Sequence, residues 1–267
     1  MNNYNTYSIG DIHGMVLQLV DALEWIKQDT GSTPCVIVLL GDYVDRGPAS
    51  KEVIDTLIAL RDRVYEPFDE LYYDIMFLRG NHEAMMLMAL LNGSLKDLWI
   101  SNGGAQTLQS YNVSNALQCA WIYNEMEEGA DKMMGIPSSH IDFLNDTQIF
   151  IETDNLVFVH AGLPENDLVA IRKDLEDKDN CGHIEDTLMW VRDRFLNSRF
   201  DWGKRVVHGH TITDDPVIRS NRIGLDVGCF WSGNLAIAKW GVDTSIDPDV
   251  HIVKGNNAKF NYTRKER

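Results

Sequence analysis

Apolar positions along this chain follow two alternating rhythms, and the switches between them predict an α/β protein. Thr6-Tyr7-Ser8-Ile9 reads as a short strand, and Cys35-Val36-Ile37-Val38-Leu39-Leu40 as a strand buried on both faces, bounded by Pro34 and Gly41. Between them Val16, Leu19, Val20, Leu23 and Ile26 recur at helical intervals, until Gly31-Ser32-Thr33-Pro34 stops the helix. A second amphipathic helix gathers Val53, Ile54, Leu57 and Leu60 on one face and leads to the strand Asp74-Ile75-Met76-Phe77-Leu78. The helical stretch after it carries Met85, Met86 and Met88, which read as core filling rather than as a cofactor site.

From about 92 to 145 the strand rhythm lapses. Leu95, Leu98, Trp99, Leu108, Leu117 and Trp121 among Gly and Asn predict a mainly helical insertion that walls one side of the molecule. Pro137 opens a further short helix, with Ser139 and Asp142 in the relation that caps a first turn. Strands resume over 147–153, 156–159, 205–207, 223–227 and 235–239; the acidic run 165–186 reads as a solvated face or loop. Beyond Gly255 the chain reads as a polar, loose tail. With no repeat and no linker, residues 1–267 read as one domain containing that insertion.

Composition narrows the partners. Of 267 residues 44% are hydrophobic, enough for a sizeable core, and the formal charge of −16 argues against nucleic-acid or anionic-membrane partners. An anionic substrate would therefore need a local positive site. Cys35, Cys119, Cys181 and Cys229 are widely spaced and form no CxxC pair, which fits a reducing compartment. The absence of an apolar leader or membrane-length run leads us to expect a cytoplasmic protein.

The chemistry gathers where strands end. Gly10-Asp11-Ile12-His13-Gly14 follows the first strand, Gly41-Asp42-Tyr43-Val44-Asp45-Arg46-Gly47 the second and Arg79-Gly80-Asn81-His82-Glu83 the third. His160-Ala161-Gly162 and His208-Gly209-His210-Thr211 follow two later ones. Taken singly, each loop has an ordinary explanation as a turn or cap. Together they offer the carboxylate, imidazole and amide oxygen that divalent ions accept, and a bridging Asp would let two ions sit ~3.5–4 Å apart. In the last loop either His208 or His210 could serve as ligand.

In their order and spacing these five motifs resemble the phosphoprotein phosphatase branch of the calcineurin-like metallophosphoesterases, most of all the compact bacterial and bacteriophage Ser/Thr protein phosphatases. The resemblance implies two packed, mixed β-sheets flanked by helices, with a two-metal site on loops at one edge. It implies Asp11 and His13 on one ion, Asp42 as a bridge, and Asn81, His160 and His210 on the other; His208 becomes structural. Manganese is the first choice of metal, with iron or zinc as alternatives. His82 is the implied general acid, held by Asp45, and Arg46, Arg79 and Arg192 are the implied grip on phosphoryl oxygens. Glu83 is expected to brace its loop.

The chemistry can be argued beside the resemblance. Water shared by two divalent ions ionises near neutral pH, so no phosphoenzyme is needed, and two ions plus three arginines outweigh two aspartates and a hydroxide. The expected activity is hydrolysis of phosphoserine or phosphothreonine in a protein or peptide, with phosphotyrosine also admitted. The alternative is hydrolysis of a dinucleoside polyphosphate such as diadenosine tetraphosphate. A binding module that has kept the fold without chemistry is disfavoured because every ligand position is filled.

Overall fold

The computed structural model describes residues 4–114, 135–177 and 181–255. Leu117 and Trp121 of the expected insertion, and the expected loose tail, lie outside the described residues. Strands β1 (Asn5–Ile9), β2 (Cys35–Leu39) and β3 (Tyr73–Phe77) lie parallel, with Ile9 opposite Leu39 and Leu39 opposite Phe77. The crossovers between them are α1 (Val16–Thr30) and α2 (Ser50–Arg61), as parallel pairing requires. On the other side of β1, β9 (Asn234–Trp240) and β10 (Asp249–Lys254) add antiparallel strands, giving the order β10-β9-β1-β2-β3.

A second mixed sheet has the order β4-β5-β6-β8-β7, built from β4 (Phe150–Glu152), β5 (Leu156–Val159), β6 (Arg205–His208), β7 (Val217–Ile218) and β8 (Arg222–Gly224). Alternation along the strands sorts side chains into layers. Val38, Ala236, Ala238 and Trp240 of the first sheet pack with Phe158, Val207 and Ile223 of the second. Tyr7, Ile9, Ile37 and Leu39 point the other way, onto Leu19, Leu23, Ile54 and Leu57 of the helices. The result is the expected α/β architecture of two mixed sheets with helices outside.

Where expectation and structure differ, the cause is local. Segment 147–153 divides between the sheets: Gln148 bridges Leu78 beyond the end of β3, and the chain then crosses to form β4 only over Phe150–Glu152. The strand expected over 223–227 ends at Gly224: Leu225 still donates its N–H to His208 O, and Asp226 O then accepts from the Thr213 N–H of a loop instead of from a strand. Strands β7 and β10, each at the edge of its sheet, are additions to the expected set. The acidic run becomes α7 (Leu168–Glu176) and α8 (Cys181–Trp190), with acids outward and Leu168, Ile171, Ile184 and Leu188 buried under the second sheet.

The helix α6 (Ser138–Asn145) has Pro137 at its N-cap and no side-chain cap, so the Ser139–Asp142 box does not form. Val20 and Met88 face outward, while Met85 and Met86 fill the core as expected. Four helical pieces bear directly on the site: α3 (Asn81–Asn92), α4 (Lys96–Trp99), a π-turn (Ile100–Gly104) and α5 (Ala105–Ser110). Among the described residues no helix is long and apolar enough to cross a membrane.

Candidate active site

Loops leaving β1, β2 and β3 of one sheet meet loops leaving β5 and β6 of the other. Their backbone is unusual. His13, Asp42, Asp45, Arg46 and His210 all have positive φ, between 47° and 72°, although none is glycine. Such conformations cost about 1–3 kcal/mol each and persist only where surroundings impose them.

Part of the imposition comes from Glu83 in the first turn of α3. Its buried carboxylate accepts four backbone N–H groups: Gly80 at 2.9 Å and Asp42 at 2.8 Å on one oxygen, Tyr43 at 2.7 Å and Val44 at 3.2 Å on the other. Burial, with help from the Asp42 charge, pushes its pKa up to about 7. The expected bracing role is the one it has. Glycines supply the rest: a Cβ on Gly80 would strike Asp42, and one on Gly209 would strike Asp11.

Held this way, the predicted ligands converge. Asp42 Oδ2 is 3.4 Å from His13 Nε2, and Asp42 Oδ1 is 3.4 Å from His160 Nε2. Asn81 Oδ1 is 3.0 Å from His160 Nε2 and 2.9 Å from His210 Nδ1. Asp42 thus turns one oxygen to each of two clusters, as a bridge must. Asp11 lies alongside, Oδ2 accepting the His210 N–H at 2.9 Å, and its buried Oδ1 has no hydrogen-bond partner. Among the described residues, the groups whose ligand atoms fall within 4.8 Å of one another are His13, Asp42 and His82, and Asp42, His160 and His210. His82 enters the first group by proximity, but its Nδ1 is already bound to Asp45; the orphaned Asp11 oxygen is the better donor for an ion.

Tautomers follow from the far nitrogens. His13 Nδ1 donates to Val44 O at 2.8 Å, turning the Nε2 lone pair toward Asp42. Burial and the Arg46 charge hold its pKa well below the ordinary value; burial and the His160 charge push that of His210 down to about 2. Both are therefore neutral, as a metal ligand must be. His160 differs: burial lowers its pKa, but Asp42 outweighs burial and pushes it up to about 10. Its Nδ1 donates to Leu40 O at 2.8 Å, and with the Asn81 oxygen 3.0 Å from Nε2 a neutral ring would set two lone pairs against each other, which calls for positive charge between them. A proton or a cation meets that demand. On the other side, burial and the Asp226 carboxylate push Asp11 well above the usual carboxylate range. These buried donors fit two divalent cations, which would relieve the Asp11 penalty and supply the charge that His160 calls for.

His82 Nδ1 sits 2.6 Å from Asp45 Oδ2, so its Nε2 faces the cluster. Arg46 spans the mouth, donating to His13 Nε2 at 3.0 Å and to His82 Nε2 at 2.9 Å, with its guanidinium 4.8 Å above the Phe230 ring. Arg192 stands at the rim, donating to His210 O at 3.2 Å and Thr211 Oγ1 at 3.3 Å. Arg79 is not brought into the cluster: its Nε and one terminal nitrogen turn to Thr147 Oγ1 and the Leu144 and Asn145 carbonyls, which the 144–147 turn leaves open. His208 is buried against the Phe195 ring and pushed by burial to about 4, apart from the ligand groups.

A sequence model described as calcineurin-like phosphoesterase matches residues 5–253. The asymmetrical bis(5'-nucleosyl)-tetraphosphatase PrpE of Halalkalibacterium halodurans is 24% identical over 249 residues, covering 87% of this chain and 88% of its own. Serine/threonine-protein phosphatase 2 of Salmonella typhimurium is 24% identical over 238 residues, covering 86% and 90%. A solved cold-active protein tyrosine phosphatase shares the fold with a TM-score of 0.57 and 16% identity, over 92% of this chain and 82% of its own.

Proposed function

The chain belongs to the calcineurin-like phosphoesterase family, and from that premise we propose that this hydrolase removes phosphate from phosphoserine or phosphothreonine in proteins or peptides. The observation that carries the reading is the 2.6 Å contact between His82 Nδ1 and buried Asp45. An alkoxide leaving a phosphate monoester is strongly basic and must be protonated as its bond to phosphorus breaks. A phosphoanhydride expels a weakly basic phosphate and needs no such donor. An imidazole locked by a carboxylate, with its other nitrogen aimed into the phosphate site, is suited to the harder leaving group.

In this reading Asp11, His13 and Asp42 hold one divalent cation, and Asp42, Asn81, His160 and His210 the other. Bound there, the pair supplies a water of lowered pKa and positive charge for the phosphoryl oxygens. Arg46 and Arg192 orient the phosphoryl group through charge-assisted hydrogen bonds. With Arg46 turned from His82 to the phosphoryl oxygens, His82 Nε2 can carry a proton and give it to the departing oxygen, while Asp45 holds the ring and balances its charge. Manganese is our choice of ion.

A second reading, hydrolysis of a dinucleoside polyphosphate, draws support from the name of the Halalkalibacterium relative. Purified protein with manganese, offered a phosphoserine peptide and diadenosine tetraphosphate in parallel, separates the two. Faster cleavage of the peptide is expected. Faster cleavage of the dinucleotide would overturn the proposal.

A further inference from the structure

The carboxylate that holds His82 is itself held, and by residues from the segment expected only to wall the site. Asp45 is fully buried, and its carboxylate accepts hydrogen bonds beyond the one from His82. Thr107 Oγ1 donates to Oδ1 at 2.6 Å, and Trp99 Nε1 donates at 2.9 Å to Oδ1 and 3.1 Å to Oδ2. The same Thr107 oxygen accepts the Asp45 N–H at 2.8 Å, a donor it shares with Ser50 Oγ at 3.1 Å. Its single proton being committed to the carboxylate, the 3.1 Å contact with Ser50 Oγ must have Ser50 as donor. Every proton in this knot is thereby assigned.

Thr107 grips Asp45 at both its carboxylate and its backbone N–H, which fixes the side chain relative to a main chain at φ 72°. The next residue is held too. Arg46, at φ 67°, donates its N–H to Gly103 O at 3.3 Å. Gly103 lies in the π-turn at φ 114°, and a Cβ there would come within 2.6 Å of Arg46 N, so only glycine permits the approach. Gly104 plays the same part against Trp99: a Cβ would lie 2.6 Å from its indole. Two successive left-handed residues, each unfavourable alone, are thus stabilised by bonds from the 99–107 segment.

We infer that Trp99 and Thr107 are positioning residues for the general acid, acting through Asp45, and that the α4, π-turn and α5 segment exists at this point to clamp the Asp45-Arg46 turn. The inference rests on the phosphomonoesterase reading above. A general acid is worth about 100–10,000-fold in rate, and mainly for poor leaving groups, so misplacing it has a distinctive signature.

The test compares wild type, Thr107→Val, Trp99→Phe and Thr107→Ser, all with manganese, on a phosphoserine peptide and on p-nitrophenyl phosphate. Thr107→Val keeps the shape and removes a donor; Trp99→Phe removes a donor and shortens the buried ring system. Each is expected to lower kcat on the peptide at least about tenfold relative to kcat on the aryl ester, with KM little moved. Thr107→Ser should restore the wild-type ratio. A loss equal on both substrates, a change confined to KM, or a ratio that stays at wild type would overturn the inference. Crystal structures of the two donor-deleted variants give a readout without turnover: Asp45 Oδ2 should leave hydrogen-bond reach of His82 Nδ1. If wild type cleaves neither ester, the functional reading fails, and the crystallographic contact still decides the clamp. Should Thr107→Val not fold, Trp99→Phe carries both measurements.

Discussion

Replacing Glu83 by glutamine tests how the site is held in shape. The two side chains are nearly the same size, but the carboxylate accepts backbone N–H groups at both oxygens, two on each. An amide has one oxygen, so either orientation leaves its NH2 facing two buried donors. At about 1–3 kcal/mol for each unsatisfied group, the loss is about 2–6 kcal/mol. Relief of a buried negative charge works in the opposite direction, since burial pushes Glu83 up to about 7. We expect the orphaned donors to win, because two are stranded whichever way the amide flips. For a domain of this size the melting temperature should fall by roughly 4–24 °C. Manganese affinity should fall with it, because the Asp42 N–H bond to Glu83 helps keep that residue at φ 52°. Differential scanning calorimetry and titration calorimetry read the two effects. A Glu83→Gln protein that melts with wild type and binds manganese equally well would refute the reasoning.

Two further outcomes follow from the same geometry. Asp42→Asn removes the charge shared by both clusters, and is expected to abolish manganese binding by calorimetry together with phosphatase activity. Cys35 and Cys229 are buried, and burial, followed by the Asp74 charge, pushes the Cys35 thiol up to about 12. Both should remain protonated, and resist iodoacetamide in the native protein, as pH rises from 7 to 9, reacting only after unfolding. Peptide mass spectrometry reads this directly, and early labelling of Cys35 would contradict its placement.

The parts of this molecule legible in its sequence are those encoded in adjacent residues. The run 35–40 announced a core strand because nothing polar interrupts it, and Asp42, Asn81, His160 and His210 stood out because each follows a strand within a few positions, while their ligand roles came from the family resemblance. What stayed hidden depends on residues far apart in the chain. Trp99 and Thr107 act on Asp45 from 54 and 62 positions away, and each alone looks like ordinary core. A hint was present in Asn102-Gly103-Gly104, a glycine pair inside a helical stretch, which marks close backbone approach. Arg79 shows the opposite failure. The family resemblance implied a phosphate grip for it, yet its long side chain carries the guanidinium to the 144–147 turn. Strand β10 was missed because Val250, Ile252 and Val253 do not alternate strictly and stand among Asp249, His251 and Lys254.

The candidate ligands come from both sheets: Asp11, His13, Asp42 and Asn81 follow strands of one, His160 and His210 follow strands of the other. Cations lodged among them would rivet two layers that pack through an apolar interior and are otherwise joined by a few polar contacts such as His160–Leu40 and His210–Asp11. Occupancy and cohesion are then one equilibrium, so chelation would loosen the seam itself and not merely silence the chemistry performed at its rim.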